Sequence, residues 1–142
     1  MSSRQLALME GPIAIRVGYW LTPPDLMAQL QEEFDFDYDA CPYPRPPGYD
    51  GLREAWGSRT WVNPPFGGTP IMAWARKCLK EHSLGKTVVL ILPLRLCEHV
   101  VAPMCDVGAE IRALPPVAWR NPHGVATKRP SCQLLFVLRG KP

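Results

Sequence analysis

The chain has 142 residues, 46% of them apolar and 20% charged, with a formal net charge of +3. That composition fits one globular domain with a single core and excludes a disordered or fibrous chain. The longest apolar run, Val88 to Leu92, is far short of a membrane span, and the first residues lack a signal-peptide layout. The expectation is therefore a cytoplasmic protein without membrane contact.

Five cysteines, an odd number without any Cys-x-x-Cys pair, argue for a reducing compartment rather than a disulfide framework. Cys97, His99 and Cys105 match no zinc spacing, so no metal is expected. Seventeen prolines predict stiff loops and short regular elements. Charge is unevenly spread. Eight acids against two arginines lie between Asp25 and Glu54, whereas from Ile111 onward there are six basic residues and no acid. The basic end suits phosphate, and the acidic end suits a cationic or hydroxyl-rich ligand.

In chain order, residues 1–18 read as a flexible tail. Thr22 is a candidate N-cap with Pro23 at the first helical position, opening an amphipathic helix over 23–33 on Leu26, Met27 and Leu30. F-D-F-D-Y-D alternates strictly, which predicts a short strand with Phe34, Phe36 and Tyr38 on one face. A proline-broken loop follows. Residues 59–62 predict a second strand, 70–82 a helix, and T-V-V-L-I-L-P a third strand apolar on both faces. A short helix around 96–104 and strands near 111–114 and 133–138 complete the chain. Alternating strands and helices predict one α/β domain over 1–142, with a mostly parallel sheet and crossover connections. In such sheets ligands bind beyond the carboxyl ends of the strands, where Asp37, Asp39, Asn63 and Pro93 are expected to fall.

One stretch resists both regular structures. In W-V-N-P-P-F-G-G (61–68) two prolines cannot donate to a ladder, and a residue before proline is pushed out of the helical region. The segment reads as a rigid loop at a strand end, holding the amide of Asn63 and the ring of Phe66 in place.

N-P-P-F resembles the Asn-Pro-Pro-aromatic motif of amino-directed methyltransferases that use S-adenosyl-L-methionine. The flanking segments are similar to the small phage-type DNA N6-adenine methyltransferases (Dam-like). W-L-T-P (20–23), D-Y-D-A-C (37–41), D-G-L-R-E-A-W (50–56), W-V-N-P-P-F (61–66), W-A-R-K (74–77) and L-I-L-P (90–93) occur in the family's order. P-S-C-Q-L-L-F-V (130–137) resembles its closing strand. The resemblance implies a compact Rossmann-like methyltransferase fold with helices on both faces of the sheet.

It also implies methyl transfer to adenine N6 in double-stranded DNA, with the target base extruded. Asn63, Pro64, Pro65 and Phe66 are then the catalytic segment. Trp20, Thr22, Pro23, Asp37, Asp39 and Asp50 are the cofactor-side candidates, although the chain lacks a Gly-rich loop after its first strand. Trp119, Arg120, Lys128 and Arg129 form a basic, proline-rich connection expected to meet DNA. Methylation of cytosine N4, an RNA base or a protein glutamine is the alternative chemistry. A non-catalytic nucleic-acid-binding module on a degenerate methyltransferase fold is the alternative class.

Overall fold

Helix α1 (Pro24–Phe34) opens the structure, a computed structural model that describes residues 21–65, 70–121 and 130–141. The readings on Trp20, Phe66, Lys128 and Arg129 lie outside the described residues. Pro24 occupies the first turn of α1, where its missing N–H costs nothing. The helix starts one residue later than expected, with Pro23 at the cap position and no side-chain cap bond. Thr22 is therefore not the cap; its hydroxyl is used elsewhere.

Asp35 ends α1 in a left-handed conformation (φ 50°) and its N–H returns to the Gln31 carbonyl. That turn consumes the first half of the alternating segment. Phe34 closes the helix, and the strand is reduced to β1, Tyr38–Asp39. Phe34 and Phe36 enter one hydrophobic cluster while Tyr38 packs against the other, so the three rings do not share a face.

Then come β2 (Arg59–Val62), α2 (Ile71–Ser83) and β3 (Thr87–Pro93), close to the expected ranges. A 3-10 turn (Leu94–Leu96) and α3 (Val101–Asp106) lead to β4 (Glu110–Val117) and β5 (Ser131–Leu138). β4 runs past its expected end through Pro115 and Pro116, with a register irregularity between Leu114 and Val117. As an edge strand it tolerates prolines, which donate nothing to the ladder.

The sheet order is β1-β2-β3-β5-β4. β1–β2 and β2–β3 pair parallel, whereas β3–β5 and β5–β4 pair antiparallel. The sheet is thus mixed. Helices carry the chain from β2 to β3 and from β3 to β4, keeping those strands in one direction. β5 inserts between β3 and β4 and pairs antiparallel with both.

Successive residues of the central strands serve opposite faces. Val88, Leu90, Leu92, Phe136 and Leu138 join a buried cluster with Trp74, Ala75 and Cys78 of α2 and Met104 of α3. Val89, Ile91, Leu135 and Val137 join a second with Leu30 and Phe34 of α1, Trp61 and Trp119. All of these central-strand residues are nearly inaccessible to solvent, so β3 and β5 anchor both halves of the core. Among the described residues no helix is long and apolar enough to cross a membrane.

Candidate functional site

The carboxyl ends of β1, β2 and β3 share one edge of the sheet, because the register sets Asp39 beside Trp61 and Val62 beside Leu90. At that edge β2 gives way to Asn63, Pro64 and Pro65. Pro64 is buried; Asn63 and Pro65 are half-buried. The Asn63 amide nitrogen donates to the Thr22 hydroxyl at 3.2 Å. That bond directs the amide oxygen away from Thr22 and fixes the side chain's orientation. Thr22 is itself placed by a two-bond bridge in which the Leu21 and Arg120 backbones exchange hydrogen bonds of 2.7 and 3.1 Å. Pro23 follows with its carbonyl accepting from Met27 N–H, tying this segment to α1.

On the neighbouring strand, Asp39 Oδ1 accepts from the Cys41 backbone N–H at 3.0 Å. Burial pushes the Asp39 carboxyl up to about 6, against the lowering effect of that bond. Burial and the Asp39 charge raise the Cys41 thiol well above its ordinary value, opposed by a bond from the Asn63 backbone. Cys41 is thus a neutral thiol that knits the ends of β1 and β2, not a nucleophile. Tyr49 donates to the Ala40 carbonyl at 3.1 Å, and its hydroxyl lies 2.9 Å from that of Tyr38. Burial and the Tyr38 contact drive the Tyr49 phenol upward, so it stays protonated.

Behind this edge lies a cleft of about 150 Å³ whose walls include Ala40, Tyr49, Asp50, Leu52, Pro65 and Trp74. Asp50 Oδ1 accepts from Leu52 N–H at 3.0 Å, and Oδ2 lies 3.5 Å from the exposed Arg53 guanidinium. Gly51 lets the loop close on the wall: a Cβ there would come within 2.2 Å of the Ala40 carbonyl oxygen and 3.0 Å of the Trp74 ring. Trp74 is 5% exposed, and its buried indole N–H has no hydrogen-bond partner among the described residues. The cleft therefore carries apolar walls at Leu52, Pro65 and the Trp74 ring and polar ones at Arg45, Tyr49 and Asp50.

Two predicted residues are placed away from this group. Asp37 is at the amino ends of the strands, not the carboxyl ends: its Oδ1 accepts from the Arg59 N–H at 3.0 Å, and Oδ2 lies 3.7 Å from the Arg59 guanidinium. The carboxylate serves the start of β2, because β1 begins only at Tyr38 and leaves Asp37 ahead of the strand. Trp119 is 4% exposed and packed in the α1-side cluster. It is a core residue, not a surface on which a base stacks; its apolar bulk outweighs the basic character of its neighbours. Arg120 is exposed beside it.

The basic C-terminal segment is also less available than its composition implies. Arg112 makes paired bonds of 2.7 Å to Glu33 and two of 3.2 and 3.0 Å to Glu110, and Arg139 reaches Glu110 at 3.3 Å. Both guanidinium groups sit over the Phe34 ring, at 5.5 and 5.6 Å.

Tyr49 and Trp74 are the site residues that the sequence did not single out as ligand contacts. Their signals were faint: a tyrosine in a proline-rich loop, and a tryptophan on the apolar side of a helix. Comparison of the chain with protein-family models, curated proteins and solved structures found no match.

Proposed function

We propose that this chain transfers the methyl group of S-adenosyl-L-methionine to the exocyclic N6 amine of adenine in DNA. The observation that carries the reading is Asn63, held by Thr22 at the carboxyl end of β2 and followed by two prolines, beside a cleft with a carboxylate. The finer fold belongs to the same reading: a Rossmann-like sheet with helices on both faces, supported by α1 and α2 entering separate clusters. So do a cytoplasmic location and DNA as partner, the latter resting on the sequence of residues 119–129.

An exocyclic amine of adenine is a weak nucleophile because its lone pair is delocalised into the ring. Two acceptors, one on each N–H, draw it toward tetrahedral geometry and release that pair. In this reading the Asn63 side-chain oxygen is one acceptor and the Pro64 carbonyl the other. Thr22 and the two prolines keep both aimed, so little reorganisation is needed at the moment of reaction. Phe66 supplies the face on which the extruded base stacks.

The residues present fit the cofactor. Asp39 and Asp50 offer acceptors to its cationic and hydroxyl groups, Thr22 and Pro23 border the same edge, and the cleft has room for a flat ring. When bound, S-adenosyl-L-methionine supplies a methyl group already activated on a sulfonium. Asp37, committed to Arg59, is left out of this set.

The test is incubation with unmethylated DNA and labelled cofactor, followed by nucleoside identification. N6-methyl-2′-deoxyadenosine is the expected product. Label in N4-methylcytosine would reassign the substrate, and no label in any nucleoside would overturn the reading.

A further inference from the structure

Pro23 and Pro24 have no N–H, so the chain that enters α1 has few donors with which to hold itself in place. Thr22 stands directly before them. The helix has no side-chain cap bond, and the Thr22 hydroxyl accepts from the Asn63 amide at 3.2 Å instead. A hydroxyl can orient an amide only if its own backbone is fixed. Leu21 supplies that fixing: its N–H donates to the Arg120 carbonyl at 2.7 Å, and its carbonyl accepts from the Arg120 N–H at 3.1 Å.

Arg120 is anchored in its turn. It follows Trp119, which is 4% exposed and shares a buried cluster with Leu30 and Phe34 of α1 and Trp61 of β2. Trp61 precedes Asn63 by two positions. Asn63, Thr22, Leu21, Arg120, Trp119 and Trp61 thus make a closed circuit, hydrogen bonds on one side and a common core on the other. A close-packed core transmits a displacement rather than absorbing it. The circuit therefore ties the Thr22 hydroxyl to the end of β2.

We infer that Leu21 and Arg120 are positioning residues for the Asn63 amide, acting through Thr22 by their exchanged backbone hydrogen bonds. The inference rests on the methyl-transfer reading above. It adds a route by which the root of the β4–β5 connection sets the aim of a proposed acceptor. Bonds between two main chains are indifferent to side-chain type, so the charge of Arg120 has no part in this role and its N–H does.

Leu21→Pro removes the donor of the shorter bond and Arg120→Pro that of the longer one, whereas Leu21→Ala keeps its N–H. The first readout is the Asn63 side-chain NH2 signal in NMR, identified by its loss in Asn63→Asp. Both proline variants should move that signal in the direction in which Thr22→Val moves it, and Leu21→Ala should leave it in place. With labelled cofactor and DNA, each proline variant should lose about tenfold in kcat, the scale of one lost orienting hydrogen bond. KM for DNA and affinity for S-adenosylhomocysteine should be unchanged. Leu21→Pro combined with Thr22→Val should lose no more than the larger single loss, because both changes break one path.

An Asn63 signal at its wild-type position in the folded proline variants would overturn the inference, and so would losses in kcat that multiply in the double variant. If neither proline variant folds, hydrogen exchange on the wild type decides. Slow exchange at the Leu21 and Arg120 amides, retained in Thr22→Val, is the expected result. Exchange there at the rate of an open chain would show that the bridge does not hold Thr22. If the wild type methylates no nucleic acid, the functional reading falls, an outcome distinct from these because the NMR and exchange measurements need no turnover.

Discussion

Asn63 and Thr22 are forty-one positions apart in sequence, yet the amide of one donates to the hydroxyl of the other at 3.2 Å. The bond joins the loop after β2 to the segment that enters α1, and it orients the Asn63 side-chain amide next to paired prolines. Thr22→Val removes the acceptor while keeping shape. The expected outcome is methyl transfer reduced on the order of tenfold, the scale of one lost orienting hydrogen bond, with Thr22→Ser close to wild type. Wild-type turnover in Thr22→Val, measured on DNA at saturating cofactor, would show that this contact does not position the amide.

Asn63→Ala goes further, because it removes the proposed acceptor itself. Loss of one preorganised hydrogen-bonding group at a reacting atom costs about 3 kcal/mol, a hundredfold or more in rate. Binding of S-adenosylhomocysteine should be little changed. Near-normal turnover by this variant would remove Asn63 from the chemistry.

The elements with strong local pattern were legible in the sequence: the wholly apolar β3, the amphipathic α2, and a β2 that stops at Asn63. What was hidden depends on long-range pairing. No local signal says that Ser131–Leu138 inserts between β3 and β4, or that Thr22 serves Asn63 and not its own helix. The helix runs to Phe34 and ends at the left-handed Asp35, so the strand expected in F-D-F-D-Y-D shrinks to Tyr38–Asp39 and Asp37 falls ahead of it. Trp119 was misread because burial depends on what packs over a residue, and its charged sequence neighbours gave no sign of that. The candidate site itself was half legible: its strand-end loop was visible, and the cleft wall at Tyr49 was not.

Asp39 gives a pH signature. Its carboxyl is raised in the folded chain from an ordinary 3.8 to about 6 by burial. A raised folded value means that the charged form is disfavoured: the group's contribution is most favourable below about 4 and is lost as pH rises through 6. Asp39→Asn, which keeps the Oδ1 acceptor for Cys41 N–H, should therefore be more stable than wild type at pH 7–8. The gain, on the order of 1 kcal/mol after allowance for partial exposure, should vanish between pH 6 and 4. The variant should also bind the cationic cofactor less tightly at neutral pH. A stability difference independent of pH in thermal unfolding would refute the shift.

Glu81 has the opposite sign. It is 2% exposed and lies between Lys77, at 2.7 Å, and Lys86, which also donates to the Trp56 carbonyl; Lys77 sits 5.4 Å from the Trp56 ring centroid. Burial alone would raise its carboxyl, but the two lysines outweigh that and hold it below its ordinary value. Its stabilisation is present above pH 4.5 and lost as pH falls through the depressed value. Glu81→Ala leaves two partly buried cations without their shared anion and should cost about 3 kcal/mol in chemical denaturation. Glu81→Gln should flatten the acid limb of the stability profile. If the variants unfold like wild type at pH 7, the triad contributes nothing to the fold.

The last prediction separates two kinds of basic residue in the acid-free C-terminal segment. Arg112 and Arg139 are engaged by Glu33 and Glu110 and stacked on Phe34, so their charge is already balanced and their geometry spoken for. Lys128 and Arg129 belong to the connection between β4 and β5 that the sequence assigns to phosphate contact. Each phosphate contact made by a basic side chain releases counterions, so the slope of binding against salt counts those contacts. Lys128→Gln with Arg129→Gln should weaken DNA binding similarly for all sequences and reduce that slope by up to about two charges. Arg112→Gln with Arg139→Gln should leave the slope near wild type and change stability little, as expected of exposed ion pairs. Binding of S-adenosylhomocysteine should be unchanged in both double variants, because the proposed cofactor side draws on other residues. A filter-binding salt titration decides the matter. An unaltered slope for the first pair would return the connection to a plain link between strands, and an equal fall for both pairs would show that position in the fold does not select the DNA-facing charges.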